Sequence, residues 1–392
     1  MGKRGLSGLL VPLMVGNCWA DRRLAWLLLA GLGGVSLYQW HLRRKDLAFL
    51  ERVSPPVPLP RLDNCLHLPL VTALVAAWNE AAQIQPLIES FLNLRYPHKQ
   101  LVLVAGGEDG TFTLARRCAG SQVRVLEQRC DEGKQRALRR AFDLATGEII
   151  YLTDADCRFD NASFERMIWP IAASNEQVVT GASRPYPADL KNPFIVNQYA
   201  SQIYASYYTS RYATGILGRN CAVRSDLLAR SRALDLPAAT GTDYVLAQAL
   251  VQSGARIRHE PASQVVTRYP GWIGAYLRQQ RRWLLNLYRH GQRFGAVTDQ
   301  RAALQTMLLG LGMLALSLSI PFFGLLSAAL WSVLAFHACL SRLRYVFFSA
   351  RILGFAPTLR DYLATPLCFL IDLFAWTLPL LDVLGPRRQV PW

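Results

Sequence analysis

The stretch that decides the reading is Gly147-Glu148-Ile149-Ile150-Tyr151-Leu152-Thr153-Asp154-Ala155-Asp156, an apolar run that ends in two carboxylates one residue apart. Residues 149–152 are β-branched and aromatic enough for a buried strand, and open α/β sheets place ligands at the carboxyl ends of their strands. While the chain stays extended the two carboxylates point the same way, so one can face a ligand while the other holds a hard divalent cation through oxygen. An isolated Asp-x-Asp is more often a solvated turn. The company it keeps changes the odds.

Upstream of this run, strands and helices alternate. Residues 70–77 read as a strand, 80–94 as a helix, 101–105 as a strand and 111–118 as a helix. A strand over 123–126 and a basic helix over 134–144 then lead into the strand before Asp154. Such βαβ repetition gives an α/β domain with a mostly parallel sheet and helices on both faces. A proline-rich linker, Ser54-Pro55-Pro56-Val57-Pro58-Leu59-Pro60, precedes it. No repeat and no low-complexity segment interrupts it.

Outside this domain the chain turns apolar. Residues 24–40 form an uncharged run between Arg22-Arg23 and Arg43-Arg44-Lys45, with Trp26, Tyr38 and Trp40 near its ends, which describes a short membrane helix rather than a cleaved leader. Residues 6–20, broken by Pro12 and Gly16, are too short to span and read as interfacial or re-entrant. Residues 302–340 are long enough to cross twice, with the turn at Pro321 and Gly324. Arg342, Arg344, Arg351 and Arg360 then punctuate an amphipathic stretch that the positive-inside tendency puts on the cytosolic face. Residues 362–384 are a further candidate span, weakened by Pro366, Asp372, Pro379 and Asp382. The resulting division is an N-terminal membrane segment over 1–45, a cytosolic domain over 54–290 with an interfacial helix at 271–290, and C-terminal membrane helices over 302–384.

Composition agrees with this division. Of the 392 residues 52% are apolar, enough for a large core, and 43 basic against 27 acidic residues give a formal charge of +16. Such a surplus suits an anionic partner: a nucleotide diphosphate, an anionic membrane face or a nucleic acid. The arginines cluster at membrane flanks and on the interfacial helix rather than along one groove, which argues against nucleic acid. The eight cysteines show no Cys-x-x-Cys and no histidine at metal-site spacing, so they read as reduced, in a cytosolic main domain.

Four features fall at loop positions of the expected sheet, and a fifth follows. Val75-Ala76-Ala77-Trp78-Asn79-Glu80 ends the first strand, Glu108-Asp109-Gly110-Thr111 follows the second and Asp154-Ala155-Asp156 the fourth. Thr242-Asp243-Tyr244 and Gln279-Gln280-Arg281-Arg282-Trp283 come later. This arrangement resembles the family 2 glycosyltransferases, inverting enzymes that use nucleotide sugars and adopt the Rossmann-like GT-A fold. The resemblance runs over about residues 70–283. Its most specific part, Asp-x-Asp paired with Gln-x-x-Arg-Trp, marks the membrane-embedded branch of cellulose, chitin and hyaluronan synthases and ceramide glucosyltransferases.

The resemblance implies a role for each motif. Asn79, Glu80, Asp109, Lys134 and Asp154 would bind a UDP-sugar donor, and Asp156 would ligate Mg²⁺ or Mn²⁺. Lys134 has the physics for the task, since an ammonium at a helix start can meet a diphosphate, although a plain surface lysine would look the same. Asp243 would be the general base that takes the proton of the acceptor hydroxyl, with a helix N-cap as its bland alternative. Gln279, Arg282 and Trp283, at i, i+3 and i+4, share one helix face. A guanidinium there can neutralise charge on the departing diphosphate and an indole can stack on a sugar ring. The same helix could also simply lie on anionic lipid.

Two departures stand out: the family's Asp-Asp-Gly-Ser after the second strand is replaced by Ala105-Gly106-Gly107-Glu108-Asp109, and Thr242 stands where the family usually has Glu. The small number of membrane helices and the run from Thr242 to Leu250 are more similar to the ceramide glucosyltransferases, which implies transfer of a hexose to a membrane lipid at the cytosolic leaflet of the plasma or inner membrane. A processive polysaccharide synthase and a catalytically inactive nucleotide-binding subunit are the alternatives.

Overall fold

The computed structural model describes residues 22–53 and 68–385. The apolar segment at 6–20 and the proline-rich linker lie outside them.

A long helix, α1 (Arg22–Val53), precedes the sheet domain. The domain then alternates β1 (Val71–Trp78), α2 (Ala81–Leu92), β2 (Lys99–Gly106), α3 (Thr111–Arg117), β3 (Val123–Glu127), α4 (Gly133–Asp143) and β4 (Ile149–Leu152). These are the expected elements, displaced by no more than about two residues at their ends, the scatter usual for helix and strand boundaries. Next come α5 (Asn161–Ser174), β5 (Val178–Pro185), α6 (Pro193–Tyr208), β6 (Tyr212–Ala213), β7 (Cys221–Arg224), α7 (Ser225–Ser231), α8 (Thr242–Gln252) and β8 (Ile257–Thr267). The eight strands form one mixed sheet in the order β3-β2-β1-β4-β7-β5-β8-β6. The half built from β3, β2, β1 and β4 is wholly parallel, whereas β7 runs antiparallel to both of its neighbours.

Continuous apolar strands follow from helices covering both faces. Val71, Ala73, Val75, Ile149 and Tyr151 pack on one side with Ile84, Phe91 and Phe164. Leu74, Ile150 and Leu152 pack on the other with Ala137, Leu138 and Leu246. Alternate residues of β4 are thus buried on opposite faces, and its end delivers Asp154 and Asp156 to the sheet's carboxyl edge.

The helical remainder comprises α9 (Ile273–Phe294), α10 (Val297–Phe323), α11 (Leu325–Leu353), the short α12 (Leu359–Leu363) and α13 (Thr365–Leu384). Among the described residues three segments are long and apolar enough to cross a membrane: Val297–Phe323, Leu325–Leu353 and Leu359–Leu384. The turn between the first two falls at Gly324, whose φ of +59° is one that side-chain-bearing residues avoid. α11 does not end near residue 340. It continues to Leu353 and carries Arg342, Arg344 and Arg351, which the sequence placed in an amphipathic stretch beyond the span. The reason is pairing: Arg344 is buried against Asp46, and Arg342 meets Asp372. A buried arginine is tolerable in a helix when an acid is supplied opposite.

α1 is not among the three segments: its run over 24–40 is uncharged but diluted by Gly31, Gly33, Gly34, Ser36 and Gln39. It lies along α11 in the same direction, with Gly31 against Val333, Tyr38 stacked on His337 and Phe49 on Phe348. The third segment is the most enclosed, with 44% of its apolar window buried against 17% and 11% for the others. Gly310 of α10 lies under the backbone of Leu373, and α9 packs along α13 through Tyr276, Ile371 and Ala375.

Candidate active site

A cavity of about 660 Å³ opens at the carboxyl ends of β1 and β4, closed on one side by α9. Glu80, Lys134, Asp154, Asp156, Asp243, Gln279, Arg282 and Trp283 all line it, although they come from five separate stretches of sequence. Asn79 and Asp109 do not.

The acid pair divides its labour. Asp154 receives Lys134 Nζ at 2.5 Å and has Arg219 Nε at 3.9 Å. Burial pushes the Asp154 carboxyl up, but Lys134 and then Arg219 outweigh it and hold the group below the usual carboxylate range. Asp156 has no cation within ion-pair distance among the described residues. Its Oδ2 accepts the Thr267 hydroxyl at 3.0 Å and its backbone oxygen accepts the Tyr186 hydroxyl at 2.9 Å. Glu80 feels the consequence: burial, then Asp156, raises its pKa. A carboxylate that is oriented yet electrostatically unpaid fits a hard divalent cation. No group of three His, Cys, Asp or Glu side chains is placed to cage an ion among the described residues. Mg²⁺ and Mn²⁺ are commonly held by one or two carboxylates with substrate phosphates and water completing the shell, so Asp156 suits such an ion.

Asp243 is the second residue of α8, not its cap. The N-cap is Gly241, with φ of +69° and no side-chain capping bond. The Asp243 carboxylate accepts the backbone N–H of Tyr244 at 2.9 Å, in the first turn of the helix. The close approach of Gly218 leaves it room, since a Cβ there would lie 2.9 Å from that of Asp243. The loop bearing it is fastened to α9: Thr240 donates its hydroxyl to Asn286 at 2.6 Å, and the His290 ring lies 2.8 Å from the Thr240 carbonyl. Tyr244 donates to Asp299 at 2.6 Å. Burial lowers the His290 pKa, favouring the neutral ring that stacks on Tyr244.

α9 presents Gln279, Arg282 and Trp283 on one face, as their spacing requires, and its other face docks on α13. Tyr276 donates to Asp372, and Arg281 forms a two-pronged pair with Asp382. The two aspartates that weakened the third apolar segment are the brackets that hold this helix.

The remaining sequence candidates, Asn79 and Asp109, hydrogen-bond within the loops beside the cavity. Asn79, at φ +56°, accepts the backbone N–H of Glu108 through its side chain and pins the turn after β1. Asp109 accepts Ala81 N–H at 2.9 Å and both the N–H and hydroxyl of Thr111. The Thr111 hydroxyl bond leads the interactions that hold the Asp109 pKa low. Both of its oxygens are thus engaged within the loop.

Sequence reasoning missed Arg219, Arg268, Gln128 and Asn286, which also line the cavity. Arg219 stands before β7 and Arg268 just after β8, in no motif. Their only signal was the proximity of a strand end. Gln128 Oε1, Thr242 Oγ1 and Gln279 Oε1, all on cavity-lining residues, are buried without a hydrogen-bond partner among the described residues.

Residues 72–230 match the family model described as Glycosyl transferase family 2. The match runs from β1 into α7, so the first part of the sheet domain is similar to that family's domain. Glycosyltransferase AglE of Haloferax volcanii is 24% identical over 168 residues, 42% of this chain and 53% of that protein. The match therefore spans about half the length of that relative. Among solved structures, the mannosyltransferase PcManGT of Pyrobaculum calidifontis, in complex with GDP-Man and Mn²⁺, superimposes with a TM-score of 0.54 at 21% identity, covering 84% of this chain and 97% of that one. This likeness establishes the GT-A fold of the glycosyltransferase domain. GalNAc-T7 aligns over 54% of this chain and 48% of its own with a TM-score of 0.40 and 13% identity, too low for its details to bear on the site.

Proposed function

We propose that the chain is an inverting hexosyltransferase that moves a sugar from a nucleoside diphosphate donor, UDP-sugar in the first instance, to a lipid acceptor at the cytosolic leaflet. The observation that carries this reading is the double attachment of α9, which closes the cavity with Gln279, Arg282 and Trp283 while docking on the apolar helix α13. An acceptor lying in a membrane would reach a cavity so placed without leaving the bilayer.

In this reading Asp243 takes the proton of the acceptor hydroxyl as that oxygen forms a bond to the anomeric carbon. The bond from that carbon to the diphosphate oxygen breaks, and its electron pair leaves with the diphosphate. Attack opposite the leaving group inverts the configuration. Arg219, Arg282 and Lys134 line the side where negative charge grows, and preorganised cations in a partly buried cavity are effective there. Asp156 would hold the Mg²⁺ or Mn²⁺ ion, which when bound neutralises the diphosphate. Trp283 would wall the acceptor side.

The test is incubation of the detergent-solubilised full chain with UDP-glucose, UDP-GlcNAc, UDP-galactose and GDP-mannose plus membrane lipid extract, followed by mass spectrometry of the lipids. A hexose added to a lipid, abolished by EDTA, is expected. A polymer product would favour the synthase reading, and release of neither nucleotide nor product would favour an inactive subunit.

A further inference from the structure

A second cavity lies between α1 and α11, and none of its lining residues lines the catalytic one. Its walls are apolar over most of their length: Trp40 on α1, Phe336, Leu340 and Phe347 on α11, and Tyr362 on α12. Its volume is about 490 Å³. From Phe336 to Phe347 the helical rise makes it about 16 Å long. The slot therefore runs along the helices, as an acyl chain does in a bilayer.

Its two ends differ in charge. At the far end stand Ser36 and Phe336. At the end nearer the sheet domain Arg43, which lines the slot, lies 5.1 Å from the centroid of Phe347, and Arg351, just outside the lining, lies 5.4 Å from the same centroid. Both arginines are exposed, and neither has a carboxylate within ion-pair distance among the described residues. This contrasts with Arg344 one turn away, which is buried and satisfied by Asp46, Gln39 and Tyr204. Two cations on one ring, with no acid beside either among the described residues, suit an anion. The cavity end where they sit is where the headgroup of a cytosolic-leaflet lipid would lie.

We propose that this slot seats one anionic glycerophospholipid, its phosphate between Arg43 and Arg351 and one acyl chain between α1 and α11. The seat rests on the membrane reading given above and is separate from the acceptor. It would tie α1 to α11 at the point where the chain leaves the bilayer for the catalytic domain.

Native mass spectrometry of the full chain released from detergent, with phosphatidylglycerol or phosphatidylcholine of the same acyl composition added stepwise, tests it. One phosphatidylglycerol per chain should be retained at concentrations where phosphatidylcholine is not. Arg43→Gln with Arg351→Gln should weaken retention about thirtyfold, roughly fivefold for each charge. Leu340→Trp, which fills the slot and keeps both arginines, should also abolish retention, with an unchanged unfolding midpoint showing that the chain is folded. Equal retention of the two lipids, retention unaffected by the double substitution, or weakening by the arginine changes but not by Leu340→Trp would each overturn the seat. Release of the chain from membranes by alkaline carbonate would sink the membrane reading first, and the seat with it.

Discussion

The catalytic cavity and the helix bundle both take charge out of water, and they finish the task differently. In the bundle, among the described residues, the enclosed arginines meet acids: Arg344 pairs with Asp46 and Arg342 with Asp372, and the more exposed Arg281 of α9 pairs with Asp382 of α13. Tyr204 and Tyr208 add hydroxyl donors to Asp46 at 3.1 and 2.6 Å. In the cavity, among the described residues, only Asp154 is neutralised. Asp156, Asp243, Arg268 and Arg282 have no ion-pair partner, and three buried acceptors lack a donor. Completed charge serves to fix helices; incomplete charge marks where a ligand completes the set.

The largest effect expected from breaking this contrast is at Asp243. Asp243→Asn keeps size and the bond from Tyr244 N–H but cannot accept a proton. Turnover should fall 10²- to 10⁴-fold, roughly 3 to 5 kcal/mol, with nucleotide affinity unchanged. Turnover and nucleotide binding on one preparation decide it. A variant within about threefold of wild type would remove the base assignment.

In the bundle the same logic predicts a loss of stability rather than of chemistry. Arg344→Met leaves Asp46, only 1% exposed, without its cation and should cost about 3 to 5 kcal/mol in unfolding. Adding Asp46→Leu should recover at least half of that, because an apolar pair needs no partner; the Tyr204 and Tyr208 hydroxyls lose their acceptor and limit the recovery. Thermal unfolding in detergent measures both. If the double variant is no better than the single one, the pair contributes more than mutual neutralisation.

Between these extremes lies Asp382, which belongs to the bundle but acts on the cavity through α9. Asp382→Asn should lower kcat about tenfold while leaving the donor KM within twofold, because it loosens the helix bearing Arg282 and Trp283 without touching the nucleotide side. Equal changes in both constants, or in neither, would separate α13 from the site.

How much of this was legible follows the same line. The strand run 149–152 and the strands before it were readable because continuous apolar sequence bounded by turns has few other homes in an α/β chain. Gln279, Arg282 and Trp283 were readable because helical spacing alone puts them on one face. Asp243 was legible as a motif but not as geometry: Gly241, not Asp243, is the N-cap of the helix. Arg219 and Arg268 escaped because long-range packing of β7 and β8 beside β5 brings them in, and nothing local announces it. The length of α11 was misjudged because the sequence shows arginines but not the aspartates, about 30 and 300 positions away, that make them acceptable inside a helix.

The smallest predicted effect concerns Asp109, the residue to which family resemblance gives a contact with the base or ribose. Its two oxygens are occupied by Ala81 N–H and by the N–H and hydroxyl of Thr111, so it fastens the starts of α2 and α3 to each other. Those starts border the cavity through Glu80, whose own N–H bonds to the Thr111 hydroxyl at 2.8 Å. Asp109→Asn retains one acceptor oxygen and loses the charge, so stability should fall by about 1 kcal/mol, the scale of a lost cap. Donor affinity should change less than about twofold, since no bond to the nucleotide is removed. A carboxylate that does hold the base or ribose would behave otherwise: losing a charged hydrogen bond to a ligand costs roughly 1.5 to 3 kcal/mol, more than tenfold in affinity. Calorimetric titration of wild type and Asp109→Asn with UDP, beside their unfolding midpoints, separates the two. A tenfold weaker UDP with an unchanged midpoint would return Asp109 to the ligand, and would mean the loop opens from the closed arrangement it has here.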